Sequence, residues 1–316
     1  MKKNIWLLVI FPFFVSAQTS VEKAKKLYED QKPAEAKKIL ALIEDDNKEY
    51  AAAQYYLGRI SFDEKKYDDA SDFFEEAVDA NDKVAEYHDW LGNVYGTIAR
   101  DANPLKQGML APKMKNQWEK AIALDPSLVG ARTSLIQYYL QAPGFMGGSV
   151  EKAQETAKQI ILLKPAEGHL QLGKSYLSKK NKPEAEKEFA EMVKADPSYS
   201  LNYASYWIAQ KQYDKAFSLY ESEIKRNPGE MSYVYQLGKA SALSGQNLER
   251  GEECLRKYLL HTPNANEPSH AGAKMRLAQI MEKKGNVGEA KKLFQEAFRQ
   301  DPSMKEAEEG LKRTSR

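Results

Sequence analysis

The sequence has 316 residues, of which 47 are basic and 45 acidic, with 42% hydrophobic content and a mean hydropathy of −0.66. Without Lys2 and Lys3 the charges balance at 45 against 45, so there is no excess of positive charge of the kind that nucleic-acid binding needs. A single cysteine, Cys254, excludes an intrachain disulfide and a thiolate metal cluster.

The first segment, Met-Lys-Lys-Asn, precedes an apolar run from Ile5 to Val15 and the small residues Ser16 and Ala17. A positive start, a short apolar stretch and small residues before a polar break predict a signal peptide over 1–17, cleaved between Ala17 and Gln18. The run is short for a bilayer span and is interrupted by Pro12, and no later run reaches the length of a membrane helix. The expectation is therefore a bacterial exported protein without an integral span after cleavage, periplasmic in the first place and secreted in the second.

From residue 18 onward one spacing returns. Leu57-Gly58 is followed by Ala70, Phe74 and Ala77; Leu172-Gly173 by Tyr176, Ala185 and Phe189; Leu277-Ala278 by Ala290, Phe294 and Ala297. Leu237-Gly238 and Leu255 fit with one residue inserted, and Leu91-Gly92 opens a unit closed by Trp118 and Ala121. Asp125-Pro126, Asp196-Pro197 and Asp301-Pro302 end units, since proline disfavours helix in the residue before it. Short polar turns such as Lys-Lys-Tyr-Asp-Asp separate two helices within each unit. Small residues on successive helices let backbones approach, and the aromatic four residues after the second small one fills the space beside them. Cys254 falls in such a helix and is expected to be a small core residue.

Over essentially all of the mature sequence this array resembles the tetratricopeptide-repeat family, and the chain looks like a bacterial exported member. The resemblance implies an all-α, right-handed superhelical solenoid of about eight helix-turn-helix repeats, with the first helix of each lining a concave groove. The expected boundaries are 18–50, 51–84, 85–128, 129–165, 166–198, 199–230, 231–268 and 269–303, with a C-terminal capping helix in 304–316. Solenoids need such a polar end. The first copy lacks the Leu-Gly pair, and the 199–230 copy carries Tyr203-Ala204 in its place.

Two insertions interrupt the spacing. Gly92 to Ala121 is 29 residues where Gly58 to Ala77 is 19, which predicts a segment added between helices near Arg100–Lys115. Five residues are added again around Pro143–Ser149, a turn that resembles one in some bacterial exported repeat proteins. Stacking would bring the two insertions together on one edge, giving candidate partner-binding residues Lys106, Met109, Leu110, Lys113, Phe145 and Met146. Sealing of that edge, with Phe145 and Met146 over Met109 and Leu110, is the alternative. The second candidate surface is the groove. The residue after each Leu-Gly pair gives Arg59, Asn93, Lys174 and Lys239, with Gln137 in a looser copy, and one turn earlier come Tyr55 and Tyr235. Basic and amide donors in a row suit an acidic peptide.

The four histidines, His88, His169, His261 and His270, show no metal-ligand spacing. No nucleophile elbow or phosphate loop is present, and acidic pairs such as Glu75-Glu76 read as solvated faces. The function expected is a non-enzymatic scaffold of the cell envelope, without cofactor or metal, binding a protein or peptide and not nucleic acid. The alternative is an envelope protein associated with a polymer or carbohydrate.

Overall fold

A computed structural model describes residues 19–315, so the signal-peptide assignment lies outside the described residues. Among these are seventeen α-helices and no strand. They run in antiparallel order: α1 (Ser20–Glu29) and α2 (Pro33–Leu40); α3 (Tyr50–Asp63) and α4 (Tyr67–Ala80); α5 (Ala85–Arg100) and α6 (Pro104–Leu124); α7 (Val129–Gln141) and α8 (Val150–Ile161); α9 (Pro165–Ser178) and α10 (Lys182–Ala195). Then follow α11 (Ser200–Ala209) and α12 (Tyr213–Arg226); α13 (Met231–Ser244) and α14 (Leu248–Tyr258); α15 (His270–Lys283) and α16 (Val287–Gln300); and a last helix, α17 (Lys305–Thr314). The chain divides into two compact units, one ending at Glu188 and the other beginning at Phe189, within α10. Each unit is built from stacked helical repeats. No described helix is long and apolar enough to cross a membrane.

Local chemistry sets the helix ends. Thr19 and Glu22 form a reciprocal capping box at α1, while Asn103, Ser149 and Ser269 accept backbone N–H bonds at the starts of α6, α8 and α15. The turn from first to second helix repeatedly places one residue in the left-handed region: Lys65, Lys180, Lys211 and Gly285. The Asp-Pro-Ser segments close by a second device. The side chains of Asp125, Asp196 and Asp301 accept the N–H of Ser127, Ser198 and Ser303 at 2.8, 2.9 and 3.0 Å.

The small-residue array is the packing interface. A Cβ on Gly58 would lie 2.7 Å from the Phe74 ring, on Gly92 2.6 Å from Trp118, on Gly238 2.4 Å from Leu255 and on Gly310 2.5 Å from Phe294. Phe74 also reaches the next repeat, its ring 5.9 Å from that of Trp90. Ala36, Ala70, Ala153, Ala185, Ala216 and Ala290 expose no surface. Helix α17 lays Gly310 against Phe294 and buries Ala307, so the last full repeat has a neighbour. Where Tyr203-Ala204 replaces the Leu-Gly pair, α11 is short, and aromatic packing takes over: Tyr203 lies 3.9 Å from Trp207, and Phe189 lies 4.8 Å from Tyr206.

The first insertion is helical rather than a loop, which corrects the expectation. It lengthens α5 to 16 residues and α6 to 21, with Pro112 inside the latter. Pro112 has no N–H to offer the carbonyl four residues back and its ring crowds that position. Gly108 occupies the position and has no side chain to add to the crowding.

Candidate functional site

The first-helix positions singled out by sequence form a cross-repeat register. The residue after Gly on one first helix meets the residue before Leu on the next. Arg59 places its guanidinium 3.9 Å from the Trp90 ring centre and donates to the Tyr55 hydroxyl at 2.9 Å. Asn93 accepts from the Ser134 hydroxyl at 3.1 Å and from the Trp118 indole at 3.0 Å. In the second unit the same register pairs Lys239 with Arg276, two cations. Burial, and then the Arg276 charge, push the Lys239 ammonium below its ordinary range. Arg276 donates to Gln279 at 3.0 Å and pairs with Glu306 at 3.2 Å, while its Nε is buried without a partner.

One turn earlier the reading needs correction. Tyr55 and Tyr235 are buried in the helix contacts rather than presented on a groove surface. Tyr55 stacks on Tyr87 at 5.0 Å, and Tyr235 packs 5.1 Å from Tyr258. Lys174 and Gln137 are exposed on α9 and α7. Asp89, one turn before Asn93, is held among α5 and α7. Burial pushes its carboxyl up to about 6, partly offset by a hydrogen bond from Asn93, and its Oδ1 has no partner.

The insertion-edge residues divide. Leu110 is buried in the core and leaves the binding surface, because α6 continues as a helix through it. Lys106 pairs with Asp68 at 3.5 Å, and Lys113 lies 5.3 Å from the Tyr95 ring. Met109 and Phe145 remain exposed, at 64% and 87%, so they do not cover one another. Met146 is half-buried, and a Cβ on Gly108 would meet its tip at 3.4 Å. The two insertions therefore do touch, through Met146 and α6. Residues 143–149 form a tight turn: Gly147 is left-handed at φ +93°, a Cβ on Gly148 would fall 1.8 Å from the Ala142 carbonyl oxygen, and the Tyr138 hydroxyl donates to the Met146 carbonyl.

Between α5, α6, α7 and this turn lies a cleft of about 580 Å³. Trp118, Met114, Ala111 and Met146 provide apolar surface, and Arg100, Gln107, Gln137 and Gln141 line its polar part. Of these only Gln137 and Met146 were candidate binding residues in the sequence, where Trp118 stood out as a packing residue. The others come together because the insertion is helical.

The histidines have structural bonds. His88 contacts Gln117 at 2.6 Å and the Asp82 carbonyl at 2.9 Å, His169 contacts Glu188 at 2.6 Å, and His261 contacts Glu267 at 3.0 Å. His270 contacts the His261 carbonyl at 2.7 Å. No group of three His, Cys, Asp or Glu side chains converges among the described residues. Cys254 is a buried core residue, its thiol pushed up to about 11 by burial.

This arrangement of helical repeats agrees with comparison to known proteins. The tetratricopeptide-repeat family model matches residues 21–85, 170–230 and 240–305, more than half of the chain, and the protein belongs to that family. The family is one of repeat scaffolds for protein–protein interaction. No curated protein matches the chain. Among solved structures, a tetratricopeptide-repeat protein from Parabacteroides merdae is similar over 94% of this chain and 98% of its own, at 15% identity and a TM-score of 0.52. The C-terminal part of a repeat-containing protein from Cytophaga hutchinsonii covers 92% of this chain and 99% of its own, at 16% identity and a TM-score of 0.47. YrrB, described as a TPR protein with an unusual peptide-binding site, covers 58% of this chain and 87% of its own at 19% identity and a TM-score of 0.46. At these identities the similarity concerns the fold.

Proposed function

We propose that this chain is a non-enzymatic scaffold of the bacterial cell envelope, periplasmic after removal of residues 1–17, that holds a polypeptide partner by an acidic group on the first-helix face of its second unit. The carrying observation is the Lys239–Arg276 pair. At the equivalent register positions Arg59 lies over Trp90 and donates to Tyr55, and Asn93 accepts from Ser134, so each polar group there meets an uncharged partner within the chain. At Lys239 and Arg276 two positive charges are brought together at a half-buried place with Glu306 as the carboxylate that pairs with Arg276. Like charges in reduced dielectric repel, and an incoming carboxylate would relieve that repulsion with charge-assisted hydrogen bonds. The register aromatic of the first unit, Trp90, is covered by Arg59, which favours a polypeptide over a polymer as the guest.

The test is crosslinking in the envelope fraction of the source organism. Lys239→Glu combined with Arg276→Gln should lose the crosslinked partner while the circular dichroism stays that of the parent; an unchanged partner profile overturns the reading. Intact mass of protein released from the periplasm should begin at Gln18, and a chain retaining Met1 would remove the envelope assignment.

A further inference from the structure

The cleft of the first unit lies apart from Lys239 and Arg276, and its lining has a definite chemistry. Trp118 closes the floor, only 5% exposed, with its single polar atom donating to Asn93. Met114 and Met146 are unbranched, polarisable side chains that adapt to whatever apolar group lies on them. The side-chain amides of Gln107, Gln137 and Gln141 have no hydrogen-bond partner among the described residues. Each amide carries a donor and an acceptor, the same complement as a peptide group. Arg100 is the only formal charge in the lining and makes no ion pair or hydrogen bond with the described residues. Guanidinium donors in a planar fork match a carboxylate.

We propose that this cleft is a second subsite, which takes a short extended polypeptide segment carrying an apolar side chain followed within two residues by a carboxylate. The apolar side chain lies against Met114 and Met146, above the floor that Trp118 closes. The segment's peptide groups bond to the glutamine amides, and the carboxylate reaches Arg100. The site is built before binding. The turn that bounds it is held by Gly148 against the Ala142 carbonyl and by the Tyr138 hydroxyl on the Met146 carbonyl, so little ordering entropy is lost on association. The inference rests on the reading of the chain as a polypeptide-binding scaffold.

The experiment uses the full chain and fluorescein-labelled nonapeptides on a Gly-Ser background, carrying Leu followed at one or two residues by Glu, Gln or Lys, with binding read by fluorescence anisotropy. The Leu–Glu peptides should bind about tenfold or more tightly than the Leu–Lys peptides, as expected for one charge-assisted contact. Arg100→Glu should reverse that order. Gln107→Ala with Gln137→Ala should weaken all three series together. Equal binding of the three series, or an order unaffected by Arg100→Glu, overturns the proposal. So does concentration-dependent self-association that the peptides compete away, which would assign the cleft to a second copy. Should the peptides fail while Lys239→Glu with Arg276→Gln still loses the native partner, the subsite alone falls. Should they bind here while that double variant keeps its partner, the second-unit reading falls instead.

Discussion

Helices α5 to α7 in the first unit and α13 to α15 in the second share one register and use it oppositely. In the first, the amide of Asn93 gathers the Ser134 hydroxyl and the Trp118 indole, so the first-helix face is tied down while the insertions open a cleft beside it. In the second, the helices have ordinary lengths and the register pairs Lys239 with Arg276. Elsewhere on these second-unit helices the charges are matched. Arg250 joins Glu221 and Glu253, Arg256 joins Glu252 and Glu289, and Arg313 joins Glu282. A repeat backbone is a fixed frame on which polar surplus or empty volume can be placed at chosen points.

The largest expected effects break the shared frame in both regions. Gly92→Leu and Gly238→Leu each put a side chain where even a Cβ would lie 2.6 or 2.4 Å from Trp118 or Leu255. Each should cost about 3 kcal/mol, since overpacked helices must move apart. Urea unfolding measures this, and a variant with the parental midpoint would show that the glycine is not at the contact. The consequences should differ by region. Displacing Trp118 also releases its bond to Asn93, so Gly92→Leu should abolish peptide binding in the cleft, whereas Gly238→Leu should spare it.

The frame was legible in the sequence because it is written in residue size. Gly58 with Phe74 and Gly238 with Leu255 recur at intervals that only close helix contact explains. The candidate site was legible by half. Arg59, Asn93 and Lys239 follow their glycines, but their counterparts Trp90, Ser134 and Arg276 belong to the next repeat, and that pairing depends on how repeats stack. Tyr55 and Tyr235 were misplaced because counting one turn back ignores the rotation that carries them into the helix interface. The insertion was placed between helices because spacing alone counts added residues without saying whether they are helical, and Pro104, Gly108 and Pro112 within it are residues common in loops. Asn103 and Pro104 are instead a cap and first turn, and Gly108 sits where Pro112 would otherwise crowd the helix.

A smaller effect sharpens the electrostatic side of the comparison. The Asp89 carboxyl titrates at about 6 in the folded chain, above its ordinary 3.8, because burial disfavours the charged form. Its ionisation therefore opposes folding. The penalty is full above about pH 6 and disappears as pH falls below about 4, so this group makes the protein more stable at pH 5 than at pH 7.5. Asp89→Asn should remove that slope and raise stability at pH 7.5 by about 2 kcal/mol. Denaturation midpoints at the two pH values decide it, and an identical slope in parent and variant would place Asp89 in solvent.

The smallest effect concerns the surface pairs, and here geometry separates the units. Arg250 donates to both carboxylate oxygens of Glu221, at 2.7 and 3.0 Å, and reaches Glu253 at 2.8 Å. Lys120 in the first unit approaches Asp82 only to 3.9 Å, with both side chains well exposed. Exposed single contacts gain little against side-chain entropy, whereas a forked guanidinium loses less freedom for each bond made. Arg250→Ala should therefore cost about 1 kcal/mol and Lys120→Ala nothing measurable. The difference should shrink in about 1 M salt, where screening acts over about 3 Å. Equal losses for the two variants, or a loss at Arg250 that salt leaves untouched, would mean that packing of the arginine stem rather than its charge joins α12 to α14.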